Sequence, residues 1–152
     1  MAAALKFSLN EFFQGRLAGW GMERTAFGRI VSRFSWTSLG EWSAEHKALH
    51  MDETYRFADG RELHLNWAIY ADAKGDYAGV EGQRAAVMKG RPLGEDFELL
   101  FRQPKAAGAA GYAIVSRMRY SLIDADTCMM WGPIRRMGGL PGDVRAVLRR
   151  EP

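Results

Sequence analysis

The stretch Leu49–Tyr70, "LHMDETYRFADGRELHLNWAIY", decides the fold. Every second residue gives Leu49, Met51, Glu53, Tyr55 and Phe57, then Leu63, Leu65, Trp67 and Ile69. Side chains two apart on an extended chain share a face. The alternation therefore predicts two strands, each with one apolar side. Asp59-Gly60 between them predicts a hairpin with a three-residue loop and Gly60 in the left-handed conformation. The expected register sets Phe57 opposite Leu63, Tyr55 opposite Leu65, Glu53 opposite Trp67 and Met51 opposite Ile69. The outward pairs are then Arg56 with His64 and Thr54 with Asn66. A slip of one residue would oppose apolar to polar rows and is disfavoured. A single carboxylate, Glu53, stands in the inward row.

The same period of two runs through the rest of the chain. "GRIVSRFSWT" puts Ile30, Phe34 and Trp36 on one side, with Ser32 between, and Arg33, Ser35 and Thr37 on the other. "YAIVSRMRYSLI" puts Ile114, Met118, Tyr120 and Leu122 against Arg117, Arg119 and Ser121. "GDYAGV", "RAAVMKG", "DFELLFRQ", "TCMMWGPIRRM" and "DVRAVLRR" are shorter strands, and an opening strand runs from about Gln14 to Thr25. Its glycines 15, 19 and 21 would let it coil sharply or pass close to another backbone. "ADGRE", "DAKGD", "GRPLGED", "KAAGAAG" and "DADT" supply the turns. "NEFFQGR" is expected to form one helical turn capped by Asn10, and "GEWSAEHKAL" a short helix or a loop. About ten sequential antiparallel strands with little helix expose two edges unless the sheet closes. The expected fold is all-β: an antiparallel up-and-down barrel of about eight to ten strands over residues 1–152, wide enough for one small ligand.

Composition narrows the function classes. At 152 residues with 47% hydrophobic side chains, the chain can build one core. The net charge of +3 comes from scattered residues without a basic run, so nucleic acid is not the expected partner. The lone Cys128 forms no internal disulfide and reads as a buried structural thiol in a reducing compartment. No run reaches the ~18 apolar residues of a membrane span. "MAAALKFSLNEFF" lacks the features of a secretory signal. A cytoplasmic location is expected. His46 and His50, four apart, would lie ~13 Å apart on a strand, too far for one ion. With His64 facing outward and no Cys/His cluster, no metal site is expected. No nucleotide loop, nucleophile elbow or dinucleotide fingerprint occurs, and no cofactor is expected.

Several stretches occur together in order: "FFQGRLAGWGMERTAFGRIVSRF", "ETYRFADG" followed by "NW", "YAGVEGQRAAV" and "RRMGGLPGDVRAVLRR". Over nearly the whole chain this resembles the bacterial domain-of-unknown-function family 3833. The resemblance implies a barrel of the lipocalin and fatty-acid-binding kind, encoded beside lipid-modifying enzymes. Many members carry a lipoprotein signal, which is not expected from the opening residues of this chain. The chain also departs from the family in having Arg117-Met118-Arg119 in place of an acidic Asp-Asp-Trp, and Met130-Trp131 in place of an Asn-Arg pair.

Glu53 has two readings on sequence grounds. It pairs with an arginine on a neighbouring early strand, Arg24 or Arg33, or it is the polar end of a cavity, anchoring a ligand or acting as acid/base. Trp20, Trp36 and Trp67 either fill the core or shape that cavity with their indole N–H groups. Tyr55 and Trp67 flank Glu53. An inward arginine among Arg117, Arg119, Arg135 and Arg136 would hold a carboxylate head group. The expected ligand-binding set is Glu53, Tyr55, Trp67, Trp20, Trp36 and Arg33. The expected function is binding of an apolar, lipid or fatty-acyl-like ligand, as accessory to a lipid-modifying enzyme. The alternatives are a cavity isomerase or hydratase using Glu53, and a subunit that uses the barrel only as an interaction surface.

Overall fold

The structure, a computed structural model, describes residues 4–105 and 111–152. A single helical turn, α1 (Leu9–Phe12), precedes ten strands: β1 (Gly15–Thr25), β2 (Ile30–Ser43), β3 (Ala48–Phe57), β4 (Glu62–Ala71), β5 (Tyr77–Glu81), β6 (Val87–Leu93), β7 (Asp96–Pro104), β8 (Tyr112–Asp124), β9 (Thr127–Arg136) and β10 (Gly142–Arg150). Each strand pairs antiparallel with the next, and β10 returns to pair with β1, closing the barrel. The all-β up-and-down barrel expected from the alternation is therefore what forms, with ten strands. The "KAAGAAG" turn falls largely in 106–110, outside the described residues.

The β3–β4 hairpin corrects one expectation. Its loop has three residues, with Phe57 N–H donating to Arg61 O and Gly60 at φ +91°. The pairs are Tyr55 with Leu63, Glu53 with Leu65, Met51 with Trp67 and Leu49 with Ile69. The register lies two residues from the expected one, because a three-residue loop closes on Phe57 and Arg61. A shift of two preserves facing, so every side chain keeps its predicted side. Outside, Thr54 meets His64 (3.0 Å) and Arg56 meets Glu62 (3.2 Å).

Two other expectations change. "GEWSAEHKAL" is neither helix nor loop throughout. β2 continues to Ser43, and β3 restarts at Ala48 after a tight turn in which Lys47 adopts φ 49°. The helical turn starts after Ser8 rather than Asn10, with no side-chain cap bond.

The segment around α1 floors the barrel. Phe7, Leu9, Phe12 and Phe13 are buried; the Phe7 ring packs tilted against Phe97 and Tyr120 at 5.5 and 5.4 Å, and the Phe13 ring meets Trp36 edge-on at 6.3 Å. Arg150, at the end of β10, latches this floor by donating to the carbonyls of Gln14 (2.6 Å), Phe12 (3.0 Å) and Glu11 (3.1 Å). Gly40 makes the floor possible: a Cβ there would meet Phe13 O at 1.9 Å. Gly40→Ala is expected to lower the thermal midpoint, at a cost of about 1–3 kcal/mol or more from overpacking. An unchanged midpoint in thermal denaturation would mean that the floor is not seated this way.

Candidate functional site

Above the floor the barrel holds a cavity of about 180 Å³. It is reached by alternation: the inward residues of nearly every strand meet in it. Leu9 and Phe13 lie at the bottom. Trp36, Met51, Leu65, Trp67, Met118 and Tyr120 form the walls. Phe57, Leu63, Gln103, Ile134, Arg136 and Glu23 ring the mouth. The lining is apolar apart from a few polar groups, the usual design of a small-molecule site.

Glu53 is the deep polar group. It is 9% exposed, lies between Ser38 of β2 and Leu65 of β4, and accepts a hydrogen bond from Trp36 Nε1 at 2.8 Å. Burial raises its carboxyl above the ordinary value of 4.5, outweighing the lowering pull of that indole and of the Tyr55 and Trp67 side chains; the Glu81 carboxylate adds to the rise. Burial and the Glu53 charge in turn push up the phenols of Tyr55 and Tyr120. Trp67 Nε1 lies close enough to Glu53 to lower its carboxyl but makes no hydrogen bond of normal geometry, and Ser38 Oγ is likewise buried without a partner. Such groups are costly to leave unpaired, and the Trp67 N–H belongs to a cavity wall.

Of the expected site residues, Glu53, Tyr55, Trp67 and Trp36 come together in the cavity. Trp20 and Arg33 do not. Trp20 is 60% exposed on the outer wall, beside Val147 and Ser35. On β1 the inward positions are Leu17, Gly19, Gly21 and Glu23. A Cβ on Gly19 or Gly21 would strike Trp36, Phe34, Ala146 or Leu148, so the glycines make room for neighbouring side chains and send Trp20 outside. Arg33 alternates with the inward Phe34 and is exposed. Among the described residues no arginine pairs with Glu53; the indole of Trp36 satisfies it instead. Arg24 does not reach it either. Arg117 points outward to Glu98 (3.7 Å), and Arg119 is exposed.

Arg136, one of the four arginines that could serve as an inward anchor, does line the cavity mouth. Sequence reasoning missed its ion pair, Arg136 Nη2 to Glu23 Oε2 at 3.0 Å, although period-two counting from Gly21 leads to the partner. It also missed Glu81, which is 3% exposed. Burial alone would raise that carboxyl, but the backbone N–H groups of Arg84, Asn66 (3.1 Å) and Gln83 (3.0 Å) hold it below its ordinary value. Glu81 thereby ties the β5–β6 turn to β4. Cys128 is a buried thiol that donates to Met129 O, and burial pushes it up to about 12, far from a nucleophile's range. Among the described residues no group of His, Cys, Asp and Glu could hold a metal, and no helix is long and apolar enough to cross a membrane.

The family described as "Protein of unknown function (DUF3833)" matches residues 2–150. A comparison with curated proteins finds no match. Among solved structures, the S-type phycobiliprotein lyase CPES from Guillardia theta is similar over 96% of this chain and 94% of its own, with a TM-score of 0.62 and 13% identity. A barrel described as EF1p2_mFAP2b bound to DFHBI is similar over 93% of this chain and 95% of its own, with a TM-score of 0.51 and 7% identity. At these identities the likeness is one of fold.

Proposed function

We propose that this chain, which belongs to the DUF3833 family of proteins of unknown function, is a small-molecule-binding barrel whose ligand is a slim apolar compound with a neutral polar group at its buried end. One observation carries the reading: an apolar cavity with a single deep carboxyl, Glu53, and an unpaired indole N–H, Trp67 Nε1, in its wall. A hydroxyl or carbonyl can take the Trp67 hydrogen bond and share one with Glu53. A carboxylate at the same depth would meet Glu53 without a cation to offset it, which burial makes costly. A fatty acid would therefore sit with its carboxylate at the mouth, beside Arg136. The cavity volume is below the ~300 Å³ at which ordinary ligand sites begin, so a short or thin molecule, or one end of a longer chain, fits best. The barrel bound to DFHBI is consistent with small-molecule binding by this architecture. Service to a lipid-modifying enzyme within the cytoplasm is the physiological setting we infer for such a carrier.

Native mass spectrometry of the purified protein, followed by solvent extraction, tests the proposal. The expected result is an added mass released by extraction and absent from Leu65→Trp, whose larger ring fills the cavity. A protein that carries no adduct, and binds neither long-chain alcohols nor fatty acids on titration, would remove the reading. The raised Glu53 carboxyl favours acid/base catalysis as a second reading. Glu53→Gln that still binds the extracted compound but no longer converts it would select that reading.

A further inference from the structure

Two ordered turns stand beside the mouth, and neither buries its largest apolar side chains. The β1–β2 turn is closed by Gly28 N–H to Thr25 O (2.9 Å) and Thr25 N–H to Arg29 O (2.8 Å), yet Phe27 at its tip is 88% exposed. The β9–β10 turn is anchored by Met137 N–H to Ala113 O (2.8 Å), and Met137 and Leu140 are 62% and 67% exposed. A hydrogen bond from Ala26 N–H to Pro141 O (3.0 Å) joins the two turns, so the three side chains are carried by neighbouring turns at one end of the barrel. Val31, near the start of β2, and Tyr112, at the start of β8, are also exposed at this end of the barrel.

Charge follows the same polarity. The strand ends and turns around the mouth (23–33, 56–62, 81–87, 102–105 and 135–143) carry ten arginines and lysines against five carboxylates. The remainder of the chain carries eleven against thirteen. Among the described residues Arg24, Arg29, Arg33, Arg102 and Arg135 form no ion pair. A fixed set of exposed apolar tips inside a basic surround is what a peripheral protein presents to an anionic bilayer: the tips enter the headgroup layer, and the arginines meet lipid phosphates. A protein partner would be met by a contiguous apolar core, depleted of charge, inside a polar rim, whereas here the apolar groups sit on separate protruding tips among arginines.

We propose that the mouth of the barrel docks on anionic lipid bilayers through Phe27, Met137 and Leu140. This does not depend on what fills the cavity. Sedimentation with vesicles tests it, using an equal mixture of phosphatidylcholine and phosphatidylglycerol beside phosphatidylcholine alone. Binding is expected to the mixture, weaker to phosphatidylcholine, and reduced by added salt. The double variant Phe27→Ser/Leu140→Ser should bind the mixture about tenfold or more weakly with an unchanged thermal midpoint, since both side chains are exposed. Leu65→Trp should sediment as the wild type does, which separates docking from cavity binding. Failure to sediment with the mixture would overturn the proposal and leave these tips to a protein partner. Undiminished binding by the double variant would overturn it too, leaving only non-specific charge attraction.

Discussion

Phe97→Ala is expected to cost about 3–5 kcal/mol. Phe97 is 1% exposed. Its ring packs against Phe7 at 5.5 Å and Tyr77 at 5.7 Å, and it lies over Gly90, where a Cβ would come within 2.5 Å of it. Closed β-sheet walls cannot collapse inward to fill the void, so the cavity term is felt in full. The loss also loosens the floor, because Phe7 is held by Phe97 on one side and by Tyr120 on another. Phe101→Ala makes the control. That ring already lines the open cavity and is only half-buried, so its removal should cost distinctly less. Urea unfolding of both variants decides the matter. Equal losses would mean that the floor and the cavity are not packed differently.

The second large effect belongs to Glu53 and has a definite sign in pH. Its folded carboxyl titrates above the ordinary 4.5 because burial disfavours the charge. Below that value both folded and unfolded chains hold the proton, and the group's contribution to stability is fully present. As pH rises past 4.5 the unfolded chain ionises while the folded protein keeps its proton. Stability then declines at about 1.4 kcal/mol per pH unit, until the folded carboxyl ionises as well. Glu53→Gln removes this dependence. Its stability relative to wild type should therefore improve from pH 4 upward and then level off, as read by chemical unfolding across the range. A difference that stays constant with pH would show Glu53 to be solvated. The same variant should weaken binding of a ligand whose polar group meets Glu53, by about tenfold.

Facing was legible in the sequence, and depth of pairing was not. Period-two counting placed Glu53, Tyr55 and Trp67 on the inner wall even though the hairpin register was two residues out, because such a shift leaves facing intact. Trp20 shows where the rule fails. On β1 the more apolar row is Ala18, Trp20 and Met22, while the inner row is Leu17, Gly19, Gly21 and Glu23. Hydrophobicity alone selects the wrong face. Only the rings of Trp36 and Phe34 on the neighbouring strand show that the inner positions must be small. The search for an arginine beside Glu53 failed for a related reason. An indole two residues from the directly opposed position reaches diagonally across the β2–β3 pair, a geometry that one strand's sequence does not display. The mouth's polarity lay in turn residues, whose composition suggests only a loop until the barrel gathers them at one end.

The seam between β1 and β10 joins the two strands farthest apart in the sequence. During synthesis β1 must wait, its hydrogen-bonding edge unprotected, until every other strand has left the ribosome. Maturation should then be slow and governed by this last, most distant pairing. Anything that shields the first hairpin meanwhile should raise the yield of folded protein more than any improvement to the finished wall.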